Sequence, residues 1–130
     1  MAEPLSDAVR EFLERPNPAV MATLAQDGRP VTVATWYLLE PSGLVLLNLD
    51  AERVRLAHVR RDPRMALDVL DAVDWYRHVD LQLEAVRIED DPDLADIDAL
   101  SRHYLGAPYG HRDRPRVSVR AEIRRVHTWG

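Results

Sequence analysis

Short apolar runs separated by turn signals organise the first half of the chain. The run 19–24 is followed by a Gln-Asp-Gly-Arg turn at 26–29, and the run 31–39 is followed by a Pro-Ser-Gly turn at 41–43. Glycine and proline in these places are typical of tight turns between antiparallel strands. A third apolar run covers 44–49. The pattern therefore predicts three consecutive antiparallel strands.

The second half of the chain continues this pattern and predicts three more strands. Residues 64–70 form a fourth apolar run, residues 76–88 alternate between apolar and polar side chains, and residues 117–123 alternate again. Strict alternation is typical of a strand with one buried and one solvated face. Six antiparallel strands with helices at their margins predict a mainly β fold, a small closed barrel, in a single domain spanning 1–130.

Three helices are predicted beside these strands. Ser6 has the character of an N-cap for a helix that ends before Pro16. Asp50 is the predicted N-cap of the second helix, which carries a cluster of arginines. Asp91 and Pro92 place a cap and a first-turn proline at the start of the third helix.

The strand 31–39 differs from the others because it is apolar or small on both faces. Trp36 lies on the face opposite Tyr37. A strand with two dry faces is covered on both sides. One face is expected to line the barrel core, and the other to meet a ligand or a second subunit.

The segment 53–64, RVRLAHVRRDPR, is the strongest chemical signal in the chain. It places five arginines and one histidine in 12 residues, although the chain carries a net charge of −5. Helix N-termini offer unpaired N–H groups and a partial positive charge, and arginine adds a forked donor set that matches phosphate. The cluster predicts a phosphorylated ligand.

Composition narrows the class of protein. The 130 residues contain no cysteine and no lysine, which excludes disulfides, thiolate metal sites, cysteine nucleophiles and Schiff-base chemistry. No leader-like or membrane-spanning apolar segment is seen, so a cytoplasmic location is expected. The negative net charge disfavours a barrel that binds single-stranded nucleic acid.

The scattered histidines do not indicate a metal site. None of the five shows a recognised ligand spacing. His78 and Asp80 share one face of a predicted strand and resemble a ligand pair, but a solvated surface pair is the favoured interpretation. No metal is expected from the sequence.

Four blocks of sequence, in this order, carry a resemblance to a known family. They read REFLERPNPAVMATLAQDGRP, NLDAERVRLAHVRRDPRMALDVLD, DWYRHVDLQLEA and DDPDLADIDALSRHYLGAPYG, and together they run nearly from end to end of the chain. The chain resembles the split-barrel flavin and deazaflavin oxidoreductases, the superfamily of FMN-binding split barrels that contains pyridoxamine 5'-phosphate oxidase. In particular, it is similar to small reductases that use the deazaflavin coenzyme F420.

The resemblance implies a homodimer with cofactor sites at the subunit interface. It implies that Arg53 and Arg55 bind the cofactor phosphate and that Trp36 and Asn48 lie near the ring system. Tyr76 and Arg77 match a Tyr-Arg pair close to the cofactor cleft, where they could orient substrate or protonate product. Departures from the family pattern bear on the substrate pocket; they are His58 in place of a common asparagine, Ala85 in place of glycine, and Asp74-Trp75 in place of Asn-Pro. His58 is still expected at the cofactor site, which makes seven predicted site residues: Trp36, Asn48, Arg53, Arg55, His58, Tyr76 and Arg77.

Three functions stay open at this point. The first is an F420-dependent oxidoreductase that transfers a hydride from the reduced deazaflavin to an unsaturated small-molecule substrate, with its catalytic residues unidentified. The polyglutamate tail of F420 would suit further arginines in the loop 112–116. The second is an FMN-binding oxidoreductase of the pyridoxamine phosphate oxidase type. The third is a protein that binds a cofactor without turnover.

Overall fold

A computed structural model describes residues 4–130 as ten helices and strands. Three of these elements are helices: α1 (Asp7–Leu13), α2 (Val54–Arg61) and α3 (Ala95–Leu105). The seven strands are β1 (Ala19–Leu24), β2 (Pro30–Thr35), β3 (Leu38–Leu39), β4 (Val45–Asp50), β5 (Arg64–Leu70), β6 (His78–Asp90) and β7 (Arg116–Trp129).

All seven strands belong to one antiparallel sheet with the order β2-β1-β5-β6-β7-β4-β3. The prediction of a mainly β split barrel is confirmed, but the prediction of six strands was wrong. The run 31–39 forms two strands because it pairs with β1 at its start and with β4 at its end. The two halves of the run, β2 and β3, are the first and last strands of this order. Trp36 and Tyr37 therefore carry the chain from one edge of the sheet to the other.

Tyr37 fixes this corner of the barrel. Its side chain is buried, and its hydroxyl lies 2.8 Å from the Leu13 carbonyl oxygen and 3.1 Å from that of Arg15. Its backbone N–H donates to the hydroxyl of Tyr104 at 3.4 Å. Burial raises the pKa of Tyr37 far above its usual range, so the hydroxyl stays a donor. Side-chain bonds thus replace strand pairing at the corner.

The core has two parts because β4 is buried on both faces. Val45, Leu47 and Leu49 point into the barrel, whereas Leu46 packs outside it with Ile97 and Leu100 of α3. A strand between two apolar surfaces loses its alternation, which explains the continuous apolar run in the sequence. Among the helices of residues 4–130, none has both the length and the apolar character needed to cross a membrane.

The three predicted helix starts have different outcomes. Ser6 is the N-cap of α1 and accepts a hydrogen bond from the Val9 N–H at 3.2 Å, as predicted. The prediction for Asp50 was wrong, because α2 begins after Arg53, which makes no side-chain capping bond. Asp50 instead accepts from the Glu52 N–H at 2.9 Å and pairs with Arg114.

The third helix begins later than the sequence predicted. Its N-cap is Leu94, a non-glycine residue in the left-handed region with φ of 60°, and not Asp91. Asp91 nevertheless bonds to the first turn, because its carboxylate accepts the N–H groups of Asp96 at 3.1 Å and Ile97 at 3.0 Å. Asp91 therefore accepts hydrogen bonds from the first turn, as predicted for a cap, but it lies three residues before the N-cap position.

Candidate functional site

A cavity of about 620 Å³ lies beside the Trp36 corner, between β4, the start of α2 and α3. Its lining is mainly aromatic, apolar and cationic, with one amide; the lining residues are Pro16, Pro18, Ala19, Ala34, Thr35, Trp36, Asn48, Arg55, Ile97, Leu100, Tyr104, Tyr109 and Arg116. No carboxylate of the described residues is part of this lining. The cavity therefore suits a flat, apolar ligand that carries negative charge.

Three aromatic rings form one wall of the cavity. Trp36 stacks on Tyr104 with centroids 5.4 Å apart and meets Tyr109 edge-on at 6.2 Å. The Tyr104 hydroxyl donates to the Asn17 carbonyl oxygen at 2.7 Å, and burial raises the pKa of Tyr104 to about 12. The wall is rigid because Tyr104 is held at both its ring and its hydroxyl. Aromatic faces held in this way are suited to orienting a planar ring system.

Arg55 supplies one of the two cationic groups of the lining. Within residues 4–130 its guanidinium meets no carboxylate, and its hydrogen bond there is a weak one from Nη1 to Met21 Sδ at 3.6 Å. Burial lowers the pKa of Arg55, and the neighbouring charges of Arg53 and Arg116 lower it further. A partly buried arginine among other arginines favours an anion as its partner.

Arg116 is the second cation of the lining, and Asn48 positions it. Its Nε donates to Asn48 Oδ1 at 2.9 Å, its Nη2 donates to the Asn48 carbonyl oxygen at 3.2 Å, and its Nη1 donates to the Tyr109 hydroxyl at 3.4 Å. The guanidinium also lies 5.0 Å from the centre of the Tyr109 ring. These hydrogen-bond partners are all neutral, so they orient the guanidinium of Arg116 without forming an ion pair with it.

Asn48 connects this arginine to α3. Its amide Nδ2 donates to Asp91 Oδ2 and to Ser118 Oγ, both at 3.1 Å. Asp91 in turn accepts the first N–H groups of α3. Because Asn48 is buried and uses both ends of its amide, it is a positioning residue for Arg116 and has no free group to offer a ligand.

The structure brings together three of the seven residues predicted for the site. Trp36, Asn48 and Arg55 line the cavity. Arg53 is exposed at the N-cap of α2, two residues from Arg55, and does not line it. His58 is buried on the far side of α2, where its Nδ1 lies 2.9 Å from Thr23 Oγ1, so it packs α2 against β1.

Tyr76 and Arg77 lie elsewhere on this chain. Both are exposed in the turn before β6, and Tyr76 contacts the Trp129 ring at 6.4 Å. They do not line the cavity of the same chain. Their role in a cofactor site at a subunit interface stays a prediction.

Sequence reasoning did not single out three important lining residues. Arg116 appeared only as the end of a loop, and Arg112 and Arg114 of that loop pair with carboxylates, at Asp98 and at Asp50 and Glu52. Tyr104 follows Ile97 and Leu100 at helical spacing, as an ordinary core residue would. Tyr109 follows a Gly-Ala-Pro segment, and its aromatic character was the available signal. Long-range pairing determines all three positions, so local pattern alone does not reveal them.

The family model for pyridoxamine 5'-phosphate oxidase matches residues 5–130. The chain therefore belongs to the pyridoxamine 5'-phosphate oxidase family. None of the curated proteins compared with the chain matches it.

Solved structures share this fold. An F420 reductase aligns with a TM-score of 0.85 and 21% identity, over 95% of this chain and 98% of the other. The conserved hypothetical protein Rv2991 from Mycobacterium tuberculosis aligns with a TM-score of 0.76 and 26% identity, over 97% and 85%. A heme binding protein from Mycobacterium smegmatis aligns with a TM-score of 0.67 and 22% identity, over 98% of this chain and 56% of the other. Proteins with different descriptions thus share this fold, so a proposal about function has to rest on the residues of the cavity.

Proposed function

We propose that the protein is an oxidoreductase that binds the deazaflavin coenzyme F420 in the cavity beside Trp36 and reduces an unsaturated small molecule. The observation that carries this proposal is the combination of a rigid aromatic wall with two arginines that meet no carboxylate among residues 4–130. F420 joins a flat tricyclic ring to a phosphate and an acidic tail, so its chemistry matches both parts of the lining. Structural likeness to an F420 reductase supports the same choice.

The residues of the chain would bind and orient the coenzyme. Arg55 and Arg116 would hold the phosphate, with Arg53 adding positive charge at the N-terminus of α2. Trp36 and Tyr104 would fix the plane of the ring, and Ile97 and Leu100 would exclude water from one side of it. The reduced coenzyme supplies a hydride, so the protein needs to provide position and electrostatic field more than a catalytic pair.

The reduced product also needs a proton, and two tyrosine hydroxyls belong to residues of the cavity lining. The Tyr104 hydroxyl is committed to the Asn17 carbonyl. The Tyr109 hydroxyl accepts from Arg116 and keeps its own proton free to donate among the described residues. Tyr109 is therefore the candidate proton donor on this chain, and Tyr76 or Arg77 of a second subunit is the alternative that the family resemblance suggests.

We also propose that the protein is a homodimer. Four large apolar side chains, Val73, Trp75, Tyr76 and Trp129, are 49–96% exposed in and beside the turn before β6. Exposed apolar patches of this kind mark interaction surfaces. Light scattering on gel-filtered protein is expected to give twice the chain mass of 14.9 kDa, and a single-chain mass at micromolar concentration would leave Tyr76 and Arg77 without a site.

FMN is the second candidate cofactor, because the chain belongs to the pyridoxamine 5'-phosphate oxidase family. Arg55 and Arg116 could bind the phosphate of FMN as well as that of F420, so the cavity alone does not distinguish the two cofactors. Separate titrations of the purified protein with F420 and with FMN, followed by absorbance, distinguish them. Binding of either cofactor without hydride transfer to a panel of quinones and enones would instead favour a binding protein without turnover.

The first prediction tests Arg55 directly. The substitution Arg55→Ala is expected to weaken F420 binding by about 1.5–3 kcal/mol, the range for hydrogen bonds to charged groups. Arg29→Ala is a matched control, since Arg29 is an exposed arginine that pairs with Asp27 in the β1–β2 turn. Fluorescence titration measures both affinities. Equal affinity of the Arg55 variant and the wild type would remove Arg55 from the coenzyme site.

A further inference from the structure

A second cluster of titratable side chains lies on the outer face of the sheet, away from the cavity beside Trp36. Asp68 on β5 and Asp80 on β6 are direct partners in the strand register. His78 lies on the same face of β6, two residue pairs further along, opposite Leu70. All three side chains are half-buried. Backbone pairing therefore holds two carboxylates and one imidazole side by side.

The two carboxylates face each other without a partner that neutralises both. Like charges directly opposite in an antiparallel pair are destabilising. The Oδ1 atom of Asp68 is buried and accepts no hydrogen bond within residues 4–130. Burial raises the pKa of Asp68 to about 6, and a contact with Asp80 adds to the effect. Buried polar atoms of this kind are rare in proteins unless a ligand or water satisfies them.

His78 is oriented in the way that metal-binding histidines are. Its Nδ1 lies 2.9 Å from the Tyr76 carbonyl oxygen. A carbonyl oxygen can only accept, so Nδ1 carries a proton, and in the neutral imidazole the lone pair is then on Nε2. A bond from one ring nitrogen to a backbone carbonyl is the usual support for a histidine that ligates through the other nitrogen. Stacking of the His78 ring on Trp129, at 6.3 Å and 19°, restricts the ring further.

We propose that Asp68, His78 and Asp80 form a binding site for a divalent metal ion of the zinc class. One ligand atom from each residue lies within 4.8 Å of the others. Two carboxylate oxygens and one imidazole nitrogen are a donor set that Zn²⁺ accepts, with water in the remaining position. A cation here would neutralise both carboxylates and give the buried Oδ1 a partner.

The site is accessible, and its surroundings leave room for a water ligand. A cavity of about 300 Å³ runs along the same face, and its lining includes both carboxylates, His127 and Arg125. His127 is the register partner of Asp80 on β7 but does not belong to the three-residue cluster. The sequence interpretation of His78 and Asp80 as a solvated surface pair did not include Asp68, because the β5–β6 register brings that residue in.

Equilibrium dialysis of chelator-treated protein against Zn²⁺ tests this proposal. One equivalent of Zn²⁺ per chain is expected for the wild type, and Asp68→Asn, Asp80→Asn and His78→Gln are each expected to weaken binding at least tenfold. Replacement of Zn²⁺ by Co²⁺ should give visible absorption bands that the same three substitutions abolish. Asparagine and glutamine keep the size of the native side chains, and a thermal melt of each variant verifies that it folds.

Two controls make the assignment specific. Asp93→Asn removes one exposed carboxylate elsewhere on the chain and is expected to leave the Zn²⁺ affinity within about twofold of wild type. His127→Gln changes a neighbouring histidine outside the cluster, with the same expectation. The proposal is overturned if the wild type binds no Zn²⁺ at micromolar concentration, or if either control weakens binding as much as the three cluster variants do.

Discussion

Five of the 17 arginines fall into two groups that differ in their partners. We call Arg55 and Arg116 the cavity arginines, and Arg112, Arg114 and Arg120 the paired arginines. Arg55 and Arg116 line the cavity beside Trp36 and contact sulfur, amide, carbonyl and phenol groups, with no carboxylate among residues 4–130. Arg112, Arg114 and Arg120 lie on neighbouring elements and each pair with at least one carboxylate. Acids outnumber arginines by 22 to 17 in the sequence, yet no carboxylate of the described residues is part of the cavity lining.

This difference separates arginines that stabilise the fold from arginines that are available to a ligand. A guanidinium that is paired with a buried carboxylate satisfies that carboxylate, and its removal leaves a charge without a partner. A guanidinium that is oriented by neutral groups keeps its positive field and leaves no orphaned acid when it is removed. We therefore expect substitutions of the paired arginines to change stability and substitutions of the cavity arginines to change coenzyme binding.

The largest expected effect is on stability, at Arg120. This side chain is 16% exposed and pairs with Glu40 at 2.8 Å and with Asp96 at 3.2 Å. The hydrogen bonds that Arg120 donates to the Glu40 carboxylate raise the pKa of Arg120 well above its usual range. Arg120→Ala leaves two partly buried carboxylates unpaired and is expected to lower the free energy of unfolding by about 2–4 kcal/mol. Urea denaturation at pH 7 measures the loss.

Arg55, which lines the cavity, is the matching control for Arg120. Arg55→Ala orphans no carboxylate, so its free energy of unfolding is expected to lie within about 0.5 kcal/mol of wild type. A loss at Arg55 as large as the loss at Arg120 would contradict the division into two groups. Such a result would assign Arg55 to the fold.

The next prediction gives the cavity arginines a carboxylate neighbour of the kind that the paired arginines have. Ala34 on β2 is exposed and lines the cavity. Ala34→Glu adds a carboxylate to the cavity that Arg55 and Arg116 line, and charge repulsion at an effective dielectric of 20 is expected to weaken F420 binding by about 1–3 kcal/mol. Titration of F420 fluorescence measures the change.

Ala34→Gln is the control for this prediction, because it adds the same bulk without the charge. Its affinity is expected to lie near that of the wild type. If both variants lose affinity equally, the effect is steric and the charge argument fails at this position.

Parts of this molecule could be predicted from the sequence because they depend on local physics. Alternation identified β6, and the Ser6 cap placed the start of α1. These two predictions were accurate because the period of burial and the chemistry of one or two residues decide the structure there. The family resemblance pointed to Trp36, Asn48 and Arg55, which the structure places around one cavity, and their role in cofactor binding stays a prediction.

The rest could not be predicted, because it depends on contacts between distant segments. The break at Trp36 and Tyr37 is hidden in an apolar run, since the change of strand partner leaves hydropathy unaltered. Leu94 adopts a left-handed conformation that leucine rarely takes, so no propensity indicates it. Arg116 reaches the cavity only through the pairing of β7 with β4.

The smallest expected effect concerns the acid side of the stability curve. The hydrogen bond from Arg114 lowers the pKa of Asp50 below its usual value of 3.8. A carboxyl group with a lowered pKa in the folded state stabilises the fold above its unfolded pKa, and this stabilisation is lost as the pH falls through the folded value. Arg114→Gln removes the main cause, so the wild type should be more stable than the variant at pH 7, and the gap should close below about pH 4. Thermal melts of both proteins at pH 7 and pH 3 measure the gap, and a gap that is unchanged at pH 3 would show that Arg114 stabilises the fold through packing and not through the charge of Asp50.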